Sequence, residues 1–256
     1  MVKSPVVRNQ PIANETAPCR DCPVKSVALC GQLHEARGAR VDKLRLGFRQ
    51  VRARRTILRE GDIAREVFTL YSGWAFRLKV LFDGRRQILS FYLPGDLITA
   101  RSLDGLPVHY SVQAASDVTL CAFSMLQYKA AIYERPELLE QREAMRRDYF
   151  LRLDELVIDL GRRSAQERIV RLILEFYVRQ TARHAVERNS FEFPLRQEHL
   201  ADALGLTVVH VSRTLGSLRA QKLISFTRDR LTIHDLPKLA ALGALDKAQL
   251  ASLHGA

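Results

Sequence analysis

From Gln197 to Ser217 the chain reads Gln-Glu-His-Leu-Ala-Asp-Ala-Leu-Gly-Leu-Thr-Val-Val-His-Val-Ser-Arg-Thr-Leu-Gly-Ser, and no other stretch constrains its fold so tightly. Ala201 is small where two helices would cross. Gly205 can take the left-handed conformation of a tight turn between them. Leu200, Leu204, Leu206, Val211 and Leu215 supply apolar contacts that fix the crossing, and Thr207 is a good N-cap for the second helix. The pattern predicts a helix-turn-helix.

Such a motif sets the first turns of its second helix in the DNA major groove, so Thr207, Val209, His210, Ser212 and Arg213 are the expected groove residues. Arg213 carries the sharpest expectation. A guanidinium can make two hydrogen bonds to guanine, which discriminates by roughly 1 to 3 kcal/mol. Arg196 and Arg219, with Lys222, Arg228 and Arg230, are expected on phosphates, where they position without specifying. Leu223 to Phe226 and Leu231 to Ile233, joined by Thr227-Arg228-Asp229-Arg230, read as a two-stranded wing. Forty Lys and Arg against 28 Asp and Glu leave a formal charge of +12, which suits a polyanionic partner.

Upstream the texture is different. Between Val41 and Phe123, short β-rich pieces (Arg55 to Leu58, Val67 to Tyr71, Trp74 to Phe82, Gln87 to Leu93, Val112 to Phe123) alternate with glycine turns, which implies a small antiparallel barrel or roll. Asp83-Gly84 has the composition of a type I′ hairpin turn. Pro136 then opens a long helical segment that runs to Gly161. Met145, Tyr149, Leu153, Leu156 and Leu160 form one narrow stripe on it, as expected of a helix that pairs with a second copy. Gly161-Arg162-Arg163 is expected to break this helix. Ser164-Ala165-Gln166-Glu167 then has the form of a capping box that starts a new one.

The chain has four cysteines, and three of them, Cys19, Cys22 and Cys30, lie in one short run. With Cys121 they make the count that an iron–sulfur cluster or a structural zinc requires, provided that the fold returns Cys121 to the run. Ordinary thiols remain the alternative. The first residues lack a secretory signal and no apolar run approaches a membrane span, so a cytoplasmic protein without membrane contact is expected. Disulfides are then not expected. No catalytic constellation stands out among the scattered histidines, so the chain does not read as an enzyme.

Taken together, Gly61-Asp62, Ser72-Gly73, Pro94-Gly95-Asp96-Leu97, Arg163-Ser164-Ala165-Gln166-Glu167-Arg168 and Leu204-Gly205-Leu206-Thr207 leading to Ser212-Arg213 resemble the CRP/FNR superfamily of bacterial transcription regulators over nearly the whole chain. The resemblance implies an α+β fold: an N-terminal antiparallel β-roll of the cyclic-nucleotide-binding jelly-roll type, a long dimerisation helix and a C-terminal winged helix-turn-helix. The expected organisation is a cysteine-bearing arm at 1–38, the β-roll sensor domain at 39–135, the dimerisation helix at 136–161, the DNA-binding domain at 164–238 and a tail at 239–256. It also implies a homodimer on a two-fold symmetric double-stranded site, with RNA polymerase as a further partner.

Within that superfamily the FNR-like branch is the one resembled. There, three N-terminal cysteines and one at the end of the roll hold an oxygen-labile [4Fe-4S] cluster that controls genes for low-oxygen growth. The matching residues are Cys19, Cys22, Cys30 and Cys121. A zinc-bearing or cluster-free regulator with a redox or partner-controlled input is the alternative. A cyclic nucleotide is not expected, since Ile98 to Ser102 offers no ribose-binding carboxylate and Val108-His109 replaces the phosphate-binding Arg-Ser pair. Two further departures are Val209, where FNR-type proteins carry Glu, and Leu153, where a carboxylate opposes pairing in the absence of the cluster. They imply an altered half-site and a dimer less dependent on oxygen.

Overall fold

The computed structural model describes residues 19–31, 44–99 and 106–245, so expectations about residues 1–18, 32–43, 100–105 and 246–256 lie outside the described residues. Two compact units are distinguished. The first reaches Gly84 and resumes from Leu89 to Arg147; the second comprises Arg85 to Ile88 and everything from Asp148.

The first unit holds strands β1 (Arg45–Val51), β2 (Thr56–Leu58), β3 (Glu66–Ser72), β4 (Ala75–Val80), β5 (Arg86–Tyr92, of which only Leu89 to Tyr92 belong to this unit), β6 (Leu97–Ile98), β7 (Ser111–Ala114) and β8 (Val118–Ser124), then helix α1 (Met125–Tyr133). The strands form two four-stranded sheets, in the orders β1-β8-β3-β6 and β2-β7-β4-β5. Along β8 the side chains divide by parity, as a period of two demands. Val118, Leu120 and Ala122 enter the core with Phe68, Leu70 and Val112. Cys121 and Phe123 join an outer cluster with Leu29, Phe48, Val67, Tyr128 and Ile132. That parity places Cys121 on the outer face of the roll, beside Leu29 of the cysteine run.

Helix α2 (Pro136–Arg162) begins with a proline whose missing N–H costs nothing at that position. The helix ends at Arg162, within the expected Gly161-Arg162-Arg163 break, and Ser164 then caps α3 (Ala165–Thr181). The Ser164 hydroxyl accepts from Glu167 N–H, and the Glu167 carboxylate accepts from Ser164 N–H at 2.7 Å. These hydrogen bonds hold the Glu167 pKa below its ordinary value. The reciprocal cap fixes where α3 starts.

The rest of the second unit is α4 (Gln197–Leu204), α5 (Val208–Ala220) and α6 (Leu236–Leu242), with a sheet of order β10-β11-β9 built from β9 (Ser190–Glu192), β10 (Ile224–Thr227) and β11 (Arg230–Ile233). The wing therefore has three strands, not the expected two. The third, Ser190–Glu192, is too short to carry a pattern of its own and is stabilised by pairing Phe191 with Leu231. Helix α6 crosses the expected boundary at 238 and packs Leu239 and Ala240 into the unit. In the first unit, the expected strand Val112 to Phe123 is two strands in different sheets, separated where the Ser116 hydroxyl accepts from Trp74 N–H at 2.9 Å. The Asp83-Gly84 turn also differs. Gly84 N–H bonds Leu81 carbonyl at 2.9 Å and Gly84 alone takes a positive φ of 86°, so a tight turn is followed by one left-handed residue in place of a type I′ pair.

Candidate nucleic-acid interface and cysteine site

The helix-turn-helix is built as its steric pattern requires. Gly205 ends α4 at φ 62°, and a Cβ there would meet the Leu160 side chain at 3.3 Å. Thr207 caps α5 by accepting from His210 N–H at 3.2 Å. Val211, Leu215 and Leu218 turn inward. Val209, His210, Ser212 and Arg213 are left exposed on the opposite face, with Thr207 at its start. Val208 and Val209 are 47% and 67% exposed, an apolar pair at the tip of the helix that leads. Val208 was not singled out in the sequence, although its neighbour was.

Arg196, Arg219, Lys222 and Arg228 are exposed around this helix. Arg230 is committed elsewhere: it donates to the Ser190 carbonyl at 3.0 Å and to the Ser190 hydroxyl at 3.3 Å, which ties β11 to β9. His199 is buried at the start of α4, where its Nδ1 accepts from Arg196 N–H at 3.1 Å. Burial holds its pKa below the ordinary histidine value, and the Glu198 carboxylate only partly opposes this.

In the first unit the four thiols gather about the outer face of β8. Cys121 is paired in register with Phe48 of β1 and Thr69 of β3. Cys19 and Cys30 pack against the cluster that contains Cys121. The Thr69 hydroxyl donates to Cys30 Sγ at 3.5 Å and the Arg45 guanidinium to Cys19 Sγ at 3.9 Å. The cysteine loop can lie this close because Gly95, at φ 96°, has no Cβ; one would meet Val27 Cγ2 at 2.4 Å. Burial raises the pKa of both Cys30 and Cys121; Cys121 is raised further by Cys30, Cys19 and Cys22, while Arg45 pulls the other way. Among the described residues, no three His, Cys, Asp or Glu side chains are disposed to hold a metal ion.

Thr69 and Arg45 were not foreseen from the sequence. The alternation Val67, Phe68, Thr69, Leu70 does place Thr69 on the outer face, but only the β3–β8 pairing brings it to the cysteines. Of the expected dimer stripe, Met145 packs on the outer cluster and Leu160 lies over Gly205. Tyr149, Leu153 and Leu156 are half-buried. The large apolar side chains left open on this helix are Phe150, Leu151, Val157 and Ile158.

The profile of the cyclic nucleotide-binding domain matches residues 48–132, and that of the Crp-like helix-turn-helix domain matches residues 167–242. The transcriptional activatory protein AadR of Rhodopseudomonas palustris is 32% identical over 87% of this chain and 92% of its own length. The chain belongs to the CRP/FNR family. This CRP/FNR protein is similar over 91% of its length, at 25% identity, to 90% of the anaerobic regulatory protein of Haemophilus influenzae. Its fold matches the structure of FixK2 from Bradyrhizobium japonicum with a TM-score of 0.69 at 25% identity, covering 78% of this chain and 98% of that one. It is a DNA-binding transcription regulator with the α+β architecture of its family, and its relatives are regulators, not enzymes. No helix among the described residues is long and apolar enough to cross a membrane.

Proposed function

We propose that this CRP/FNR regulator is a cytoplasmic homodimer that reads a two-fold symmetric DNA site, acts with RNA polymerase and responds to oxygen through a group held by Cys19, Cys22, Cys30 and Cys121. The observation that carries the sensing role is Thr69, which stands opposite Cys121 in the sheet and donates to Cys30. The donor set is chemically suited to a [4Fe-4S] cluster: four thiols from two chain segments beside one cation, Arg45. When bound, the cluster would supply an oxygen-labile redox centre near the protein surface. The chain's own part is to hold four deprotonated thiols together and so tether the cysteine run to β8. The name of the Haemophilus relative, an anaerobic regulatory protein, supports a low-oxygen role.

Arg213, exposed on α5, is assigned to a guanine edge, and Val209 to an apolar contact such as a thymine methyl. Arg196 and Arg219 are assigned to phosphates. Phe150, Leu153 and Val157 lie on one stripe and are assigned to the seam of the dimer. A cyclic nucleotide is no part of this reading, because Val108 is buried where the nucleotide-binding branch keeps its phosphate ligands.

A second reading is the zinc-bearing or cluster-free regulator; its cluster-free form is favoured by half-buried Cys30 and buried Cys121, whose raised pKa values suit neutral thiols, whereas zinc needs thiolates. Anaerobic purification separates the two. About four irons and four acid-labile sulfides per subunit are expected. A colourless protein that carries zinc or no metal would assign the cysteines to the second reading.

A further inference from the structure

Only Arg163 separates the last residue of α2 from Ser164, the N-cap of α3. A joint this short still has free backbone torsions, so its angle must be set by side chains. Arg171 of α3 is 7% exposed and donates to Glu155 of α2 at 2.5 Å, pairs with Asp159 at 3.2 Å, and reaches the carbonyls of Gly243 at 3.1 Å and Ala244 at 3.4 Å after α6. Arg163 donates to the same Glu155 at 2.8 Å and pairs with Asp159. Four segments thus meet at one cluster of two carboxylates and two guanidinium groups.

The cluster is connected to the DNA-reading motif. Arg168 takes the Arg163 carbonyl at 2.8 Å with one edge and the Leu204 carbonyl, at the end of α4, at 3.1 Å with the other. Leu160 rests over Gly205, two residues before the cap of α5. The direction of α2 and the placement of α5 are therefore fixed by one set of contacts. Buried ion pairs add little net stability relative to apolar packing, whereas planar guanidinium–carboxylate pairs are strongly directional.

We propose that Glu155, Asp159, Arg163 and Arg171 are positioning residues for DNA recognition: they lock the angle between the long helix and the helix-turn-helix, and so set the half-site spacing that a dimer accepts. This rests on the reading that two long helices pair. The lock makes the C-terminal half of α2 a lever for α5, so a change in helix pairing reaches Arg213 without being absorbed at the joint.

The test uses the full chain and duplexes carrying its selected half-site once, or twice at spacings on either side of ~10 to 10.5 base pairs. Glu155→Gln keeps size and removes the shared charge at a half-exposed position; Asp159→Asn is the second variant, and melting curves report folding. Wild type is expected to prefer one spacing by about tenfold or more, and each variant to lose most of that preference while binding a single half-site within about twofold of wild type. An unchanged spacing preference would overturn the proposal, as would equal weakening on every duplex, which marks a purely structural role. A wild-type protein indifferent to spacing would overturn the dimer reading itself and this proposal with it.

Discussion

Thr69 donates its hydroxyl to Cys30 Sγ at 3.5 Å while its backbone stands directly opposite Cys121 in the β3–β8 ladder. One side chain thus joins the N-terminal cysteine run to the strand beside the one that carries the fourth thiol. Replacing it with valine keeps the shape and removes the donor. Thr69→Val should lower stability by about 1 kcal/mol and, because the hydroxyl favours the Cys30 thiolate, slow alkylation of Cys30 at fixed pH in the metal-free protein. Peptide mass spectrometry after timed alkylation reads this; an unchanged rate would show that the hydroxyl does not engage the thiol.

Arg213→Ala should weaken specific binding by about 1 to 3 kcal/mol and leave the protein folded, because Arg213 is exposed and the core of α5 is made by Val211, Leu215 and Leu218. Fluorescence anisotropy on specific and scrambled duplexes measures the difference. Val209→Glu should shift base preference at one position toward cytosine, read by binding-site selection.

His199 gives the second unit a pH dependence. Its buried ring is needed unprotonated, since Nδ1 accepts from Arg196 N–H. Its folded pKa is depressed by burial, so folding favours the neutral form. The stability it contributes is complete above the ordinary histidine value of 6.5 and is lost as pH falls through the lower folded value. Melting curves should show this acid loss, and His199→Gln, whose amide oxygen can accept the same bond, should flatten it.

The middle of α2 exposes Phe150 at 42% and Val157 at 69%, more apolar surface than a solvated helix carries without a partner. Val157→Glu should convert a dimer into a monomer in sedimentation equilibrium at micromolar concentration. A dimer that persists would place the seam elsewhere.

Where local chemistry decides structure, the sequence sufficed. Gly205, Thr207, and Ser164 with Glu167 each satisfy a steric or hydrogen-bonding demand within a few residues, and the helix-turn-helix and capping box follow from them. Strand parity, by contrast, depends on partners distant in the chain. The division of β8 that sends Cys121 outward and Leu120 inward needs the two sheets to be known, as does the split of Val112 to Phe123 between them. Strand β9 exists only because Phe191 meets Leu231. The dimer stripe was legible as a period, whereas the contacts that Met145 makes with the outer cluster and Leu160 with Gly205 depend on residues distant in the chain. The charges at Glu155 and Arg171 look like ordinary solvated residues until the joint brings them together.

Whether the state of the four cysteines governs DNA binding is read by anisotropy of a labelled two-fold symmetric duplex titrated with full-length protein prepared without oxygen, before and after brief exposure to air. Tight binding is expected beforehand and a loss of about tenfold or more after air, in step with loss of iron, with Cys121→Ser weak in both states. Equal affinity before and after air, in a wild-type protein indistinguishable from Cys121→Ser, would contradict that expectation.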